Sequence, residues 1–425
     1  MSSPGTTTDI ASVAAYDAGM PRDRYAELRR TPVAWHPWPG RGDGFWAVTG
    51  HAEVVAVSRD PHTYSSAIEH VALWDLEPDA LEARRSLIET DPPDHNRLRR
   101  LVSGAFTPRK IREYTDGIRA ITAGLLDAAL AVGTGDWVEL LSAPLPIAVI
   151  VQILGVGAED ADLMVELSDQ LVAGTGNADL DPEAYGNTTD LRLLPFNSPA
   201  AFALFEYGRR LGAARRADPR NDLMSVLVAA EIDGDRLTDQ ELTNFFQILV
   251  FAGNETTRTA LSHAALAFLD HPDQLERLHA DPSLVPSAVE EILRWSTPVL
   301  HFRRTATTDT ELGGVTIRAG DKVVMWFGAA NFDERVFTDP ETFDIARTPN
   351  DHVAFGGGGP HFCLGAFLAR LEIGVFLDEL IARGIRLAPA GAVERVSSNF
   401  VHGIKRLPVT VTAAHVTLAS GTPAP

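Results

Sequence analysis

The sequence predicts a mainly α-helical protein with small β-sheets, an α+β fold, and three features carry that expectation. Thr238–Asp239–Gln240–Glu241 has the form of a capping box, and the run it opens continues to about Asp270, ahead of His271–Pro272. That is roughly 32 residues, or about 48 Å of helix, enough to cross a whole domain. The only cysteine, Cys363, sits in the glycine-rich stretch Val353–Gly365. Apolar Leu364, Phe367, Leu368 and Leu371 after it predict a helix starting at the cysteine itself. Short apolar segments between turn residues, namely Val33–Trp35, Trp46–Val48, Glu311–Ile317 and Val323–Trp326, read as strands.

Of the 425 residues 45% are hydrophobic, enough for one large core, and no internal repeat is visible. A formal net charge of −20 argues against nucleic acid as a partner, while leaving room for a local basic patch. One cysteine rules out an intramolecular disulfide framework and points to the reducing cytoplasm. No stretch approaches the roughly 20 apolar residues of a membrane span, and no signal peptide opens the chain. The expected layout is a flexible start (1–15), a single domain (16–415) and a flexible tail (416–425), as a monomer.

In chain order, Ala11–Arg30 reads as a helical entry segment, and Ala52–Ser58 as a helix after the first two strands. Tyr64–Thr90 has weak periodicity and holds Val71, Leu73, Trp74 and Leu76. In the next stretch Thr90 or Asp91 can cap a helix, and Pro92 and Pro93 suit its first turn. His95 and Arg99 then lie at i and i+4 on one face. Two donors so placed clamp a carboxylate pair or form a solvated basic face. Ile111–Leu154 looks helical with one interruption and ends at Gly155. Gly176–Pro199 carries turn residues and the apolar Leu191, Leu193, Leu194 and Phe196.

The middle of the long helix, Phe245–Ala252, is largely apolar, as for a helix buried on most sides. Inside it sits Ala252–Gly253–Asn254–Glu255–Thr256–Thr257. Gly253 costs about 1 kcal/mol of helix stability and a buried acid costs more, so chemistry is the better reason for them than a back-bonded helix bend. Pro286–Trp295 reads as a helix in which Glu291 and Arg294 can pair at i, i+3. At the cysteine, backbone N–H groups of a helix start would favour a thiolate. A thiolate on a glycine-rich loop, with His361 two residues before it, suits axial ligation of haem iron. The bland alternative is a small buried hydrophobe.

Phe355, Gly356, Gly358, His361, Cys363 and Gly365 resemble the haem-binding loop of the cytochrome P450 family, Phe-Gly-x-Gly-x-His-x-Cys-x-Gly, with one extra residue before the cysteine. The order of motifs along the chain is also that of the family, from about Tyr16 to Val411. The resemblance implies haem b with Cys363 as axial ligand and Phe355, Gly356, His361 and Gly365 around it. It implies that His95 and Arg99, with Arg304 from Arg303–Arg304–Thr305–Ala306, hold the propionates. It makes Ala252 and Gly253 the space beside the iron, Thr256 a hydrogen-bonding group for dioxygen activation, and Glu255 a proton relay from solvent. Glu291 and Arg294 become a structural pair, with Arg347 a candidate third member because Thr342 replaces the usual arginine. Arg303 is expected to be a surface strand charge.

The resemblance further implies a mobile substrate loop around Tyr64–Thr90, as an alternative to core packing, and a roof over the site at 176–199. Pocket candidates are Val71, Leu73, Trp74, Val250, Val299, Leu300 and Phe400, with His301 beside them. The implied reaction is a monooxygenation, with electrons from NAD(P)H through a ferredoxin reductase and a small ferredoxin. Arg97, Arg100, Arg109 and Lys110 are candidates for the docking patch. The nearest look is to steroid and branched-lipid hydroxylases, which favours an apolar small molecule. The alternative is a tailoring enzyme that hydroxylates or oxidatively couples a peptide, alkaloid or carrier-bound amino acid. A non-enzymatic haem protein has no need for Glu255 and Thr256.

Overall fold

A single 32-residue helix, Asp239–Asp270, runs through the protein, and several other helices pack on it in the computed structural model. The structure describes residues 9–38, 44–175, 193–194 and 198–413. The capping box forms at its start: Glu241 N–H donates to Thr238 Oγ1 at 3.2 Å and Thr238 N–H to Glu241 Oε2 at 2.8 Å. Buried Ala260, Ala264, Ala265 and Ala267 let neighbouring helices approach its second half. Against its first half lies Pro199–Ala217, where a Cβ on Gly208 would come within 2.8 Å of Phe246. Pro144–Leu154, Ala161–Thr175, Val285–Ser296 and Ala366–Ala382 cover further faces.

The β-structure is small and lies to one side. Five strands run in the order Val33–His36, Phe45–Val48, Lys322–Trp326, His301–Ala306, Tyr64–Ser65. All neighbours are antiparallel except Phe45–Val48 with Lys322–Trp326. A second sheet joins Ile385–Pro389, Pro408–Ala413 and Thr134–Asp136.

Several expectations need correction. Residues 9–15 are not a flexible leader: Ile10 and Ala11 are buried beside Tyr25, Phe45 and Trp326. Ile111–Leu154 is broken more than once, because Gly133, at φ 76°, turns the chain into strand Thr134–Asp136 and then a π-helical turn, Val138–Ser142. The His95 helix begins at Asp94 and has no side-chain cap. Asp91 is committed elsewhere, bonding the Ser65 hydroxyl and, at 2.8 Å, the Ser66 N–H. The helix after the cysteine begins at Ala366, since residues 363–365 still turn out of the loop. Arg303 is buried, not a surface charge, and pairs with Asp75 at 2.5 Å. Leu191, Phe196 and the tail 416–425 lie outside the described residues, while Leu193 and Leu194 are half-buried. Among the described residues, no helix is long and apolar enough to cross a membrane.

Candidate active site

Between the central helix and the cysteine loop lies a cavity of about 630 Å³. The cysteine loop is built by glycine geometry and by close packing on the helix His51–Arg59. Gly356, Gly358 and Gly359 have φ of 90°, 94° and 75°, a region that side chains avoid. A Cβ on Gly359 would sit 2.3 Å from the Ser58 carbonyl oxygen, and one on Gly357 2.8 Å from Val55 Cα. Those two glycines therefore make room for a helix, whereas Gly356 faces open space on the cavity side. Gly357 N–H donates to Ser58 Oγ and Arg59 Nε to the Gly357 carbonyl, both at 3.2 Å. Glu290 ties the two flanks together, accepting from Arg370 at 2.7 and 2.8 Å and contacting His352 at 3.0 Å.

Cys363 presents its side chain to this cavity, although it lies deep in the protein. Its N–H donates to the Phe355 carbonyl at 3.0 Å. Burial pushes the thiol pKa up, against the Gly365 N–H and Arg99, which favour the thiolate. The expected depression is thus reversed in the chain alone, because desolvation outweighs one N–H and the charges of Arg99 and Arg370.

Four donors gather at the cavity edge. His95 and His361 pack with ring centroids 4.2 Å apart and planes tilted by 47°, and His361 Nε2 lies 3.2 Å from Ser66 Oγ. His95 Nε2 is buried with no hydrogen-bond partner among the described residues. Arg99 and Arg304 line the same space, and neither has a carboxylate within ion-pair distance among the described residues. Burial pushes the Arg304 guanidinium down to about 10 and also lowers Arg99 and His95.

Across the cavity the central helix presents Phe245, Ile248, Leu249, Ala252, Gly253 and Thr256, spaced three or four apart on one face. Thr256 Oγ1 donates to the Ala252 carbonyl at 2.8 Å, leaving the hydroxyl oxygen as an acceptor. Glu255 is buried, lines the cavity, and rests against the C-terminal loop: a Cβ on Gly403 would lie 3.6 Å from its Oε1. Asn254 Nδ2 donates to Ser168 Oγ at 2.6 Å, pinning this turn to the neighbouring helix.

Of the pocket candidates, Val71, Trp74, Val299 and Phe400 line the cavity. Trp74 and Phe400 meet edge to face at 6.4 Å, and Val299 bridges to Val401. Leu73, Val250 and Leu300 do not line it. Val250 is two residues, about 200° of helix turn, from Ala252 and packs in the main core. Leu300 alternates with Val299 to the opposite side and, like Leu73, packs with Trp326. His301 is also buried, and its Nδ1–H donates to the Asn399 carbonyl at 3.0 Å. Sequence reasoning missed Phe245, Ile248 and Leu249, although their helical spacing with Ala252 was there to be read. It also missed Arg84 and Gln247, for which no pattern was available.

Outside the cavity, Glu291 and Arg294 are fully buried and form two contacts of 2.8 Å. Arg347 does complete the network, with Nε 3.1 Å from Glu291 Oε2. Among the docking-patch candidates, Arg97 is bound by Asp235 at 2.7 Å and Glu241 at 2.6 Å, and Lys110 by Glu113 at 2.7 Å. Arg100 and Arg109 are exposed.

A buried and a half-buried arginine and an orphaned imidazole nitrogen around a thiol fit haem b, whose two carboxylates need such donors and whose iron takes sulfur. The class that fold and cavity define is a thiolate-ligated haem protein. A sequence profile of the family described as Cytochrome P450 matches residues 206–384. A steroid C26-monooxygenase of Mycolicibacterium smegmatis is 39% identical over 416 residues, covering 95% of this chain and 93% of that one. A methyl-branched lipid omega-hydroxylase of Mycobacterium tuberculosis is 41% identical over 396 residues, covering 91% and 90%. A solved cytochrome P450 of Mycobacterium marinum, in complex with pseudoionone, has a TM-score of 0.84 and 41% identity over 96% of this chain and 99% of that one. The chain belongs to the cytochrome P450 family and is a monooxygenase whose cofactor is haem held by a cysteine thiolate.

Proposed function

We propose that this monooxygenase oxidises an apolar small molecule of the steroid or branched-lipid type, with Cys363 as the iron ligand. The observation that carries the substrate class is the wall above the Ala252–Gly253 groove, built from Val71, Trp74, Ile248, Leu249, Val299 and Phe400. Such a wall gains from excluding water and offers an apolar chain no penalty. The names of the two curated relatives point the same way.

When bound, the haem supplies an iron centre that activates dioxygen for insertion into a C–H bond. His95, Arg99 and Arg304 hold its carboxylates. Ala252 and Gly253 leave space for the reacting carbon. Thr256 presents a hydroxyl at that space, and Glu255, between the groove and the Gly403 loop, holds and passes protons. Electrons come from NAD(P)H by way of a reductase and a small ferredoxin, with Arg100 and Arg109 as exposed cations for an acidic carrier. The enzyme works as a cytoplasmic monomer.

Optical titration of the purified ferric holoenzyme with steroids, branched lipids, indole dipeptides and carrier-tethered amino acids tests the substrate class. Tight low-to-high-spin shifts with steroids or branched lipids are expected. Shifts confined to dipeptides or tethered amino acids would replace this reading with natural-product tailoring.

A further inference from the structure

The cavity is not apolar throughout. Gln247, in the central helix, is 6% exposed and lines it, and its amide has no hydrogen-bond partner among the described residues. It lies five residues before Ala252, about 7.5 Å along the helix axis from the groove. One turn further on, Asn244 Nδ2 donates to the Arg85 carbonyl at 2.7 Å. That bond draws the segment 84–89 against the helix at this level. From the segment, Arg84, Ser86 and Glu89 line the cavity, with His70 facing them. Glu89 contacts His70 Nε2 at 3.2 Å and accepts from Ser86 Oγ at 3.2 Å, and it interacts electrostatically with Arg84.

We propose that Gln247, beside the Arg84–Glu89–His70 cluster, forms a polar subsite that binds a neutral oxygen, hydroxyl or keto, at the substrate end remote from the groove. The charges choose between neutral and anionic ligands. Arg84 is already coupled electrostatically to Glu89, and Glu89 already contacts His70, so a carboxylate would enter beside an existing buried carboxylate. An amide instead offers both a donor and an acceptor, and so favours a neutral ligand oxygen over bare hydrocarbon. With its oxygen anchored there, an elongated apolar molecule presents its far, unfunctionalised end to the groove. This deepens the apolar-substrate reading and rests on it.

The test uses ferric holoenzyme and matched ligand sets: a 3-hydroxy- or 3-ketosteroid with its 3-deoxy counterpart, and a branched long-chain alcohol with its alkane and its carboxylic acid. In any set that shifts the spin state, the neutral oxygenated member should bind on the order of tenfold more tightly than the deoxy member. Gln247→Met, of similar volume, should abolish that preference while leaving affinity for the deoxy member unchanged. Gln247→Asn should restore part of it. The reduced, CO-bound spectrum verifies that each variant is folded around its cofactor. Equal affinity within a set, tightest binding by the acid, or a preference that survives Gln247→Met would each overturn the subsite. Failure of every member of every set to bind would overturn the apolar-substrate reading, and the subsite with it.

Discussion

Thr256 and Cys363 are each held in a specific local geometry, and each yields a prediction. Thr256 donates to the Ala252 carbonyl, so its hydroxyl is oriented by its own helix before any ligand arrives. Thr256→Ala should leave folding intact and divert reducing equivalents into hydrogen peroxide. The peroxide formed per NAD(P)H consumed should rise severalfold, and fully retained coupling would count against the role given to this hydroxyl. Cys363→Ala removes the only sulfur that the cavity's loop supplies. The thiolate signature of the reduced, CO-bound spectrum should vanish; a spectrum that stays the same would refute the ligand assignment. Arg294 is a different case, buried with Glu291 and donating also to the Asn331 and Pro340 carbonyls. Arg294→Leu takes from the buried Glu291 carboxylate the cation that binds both its oxygens, leaving Arg347 at one of them, and should cost about 3–5 kcal/mol, read as lost soluble expression or a lower denaturant midpoint.

Among the elements, the central helix and the cysteine loop behave oppositely. The helix was legible from Thr238 to Asp270 because capping, apolar content and the stop at His271–Pro272 are all local signals. Thr238→Ala should cost about 1 kcal/mol, measurable as a shift in urea midpoint without change in the spectrum of the cofactor. The loop was legible as a motif, but the purpose of its glycines was not. Gly357 and Gly359 serve the contact with His51–Arg59, some 300 residues away in sequence, which no local pattern reports. Gly359→Ala combines a φ of 75° with a clash on the Ser58 carbonyl. It should lower the fraction of protein that retains cofactor, whereas Gly374→Ala, with its nearest neighbour at 3.9 Å, should not.

The whole molecule carries a pH dependence set by buried imidazoles. The His263 and His402 rings pack with centroids 4.0 Å apart, each bonded to a backbone carbonyl, His263 to that of His402 at 2.8 Å and His402 to that of Ser296 at 2.6 Å. Burial holds both neutral, pushing His402 down to about 3 and His263 well below its usual value. The unfolded chain takes up protons below pH ~6.5 that the native state refuses, so the stabilisation is complete above that pH. It drains as pH falls toward 3, by up to ~1.4 kcal/mol per unit for each ring. Denaturant midpoints at pH ~7.5 and ~5 should differ more for the wild type than for His402→Gln; equal differences would exclude this pair as the cause.

What local chemistry dictates could be read directly. The helix cap, the thiol on its glycine loop, the i, i+4 spacing of His95 and Arg99, and the Gly253–Thr256 interruption of an apolar helix identified the fold and its chemistry. Tertiary packing decided the rest. Val71, Leu73, Val299 and Leu300 are equally greasy in sequence, and only the direction of each side chain sends Val71 and Val299 to the cavity and the other two to the core. Arg303 and Arg304 are adjacent cations, yet Arg303 meets Asp75 while Arg304 faces the cavity with no such partner among the described residues. Apolarity and charge are properties of a residue, but facing is a property of the assembled chain. Substrate selection lives in facing, which is why the reaction could be read so much further than the ligand.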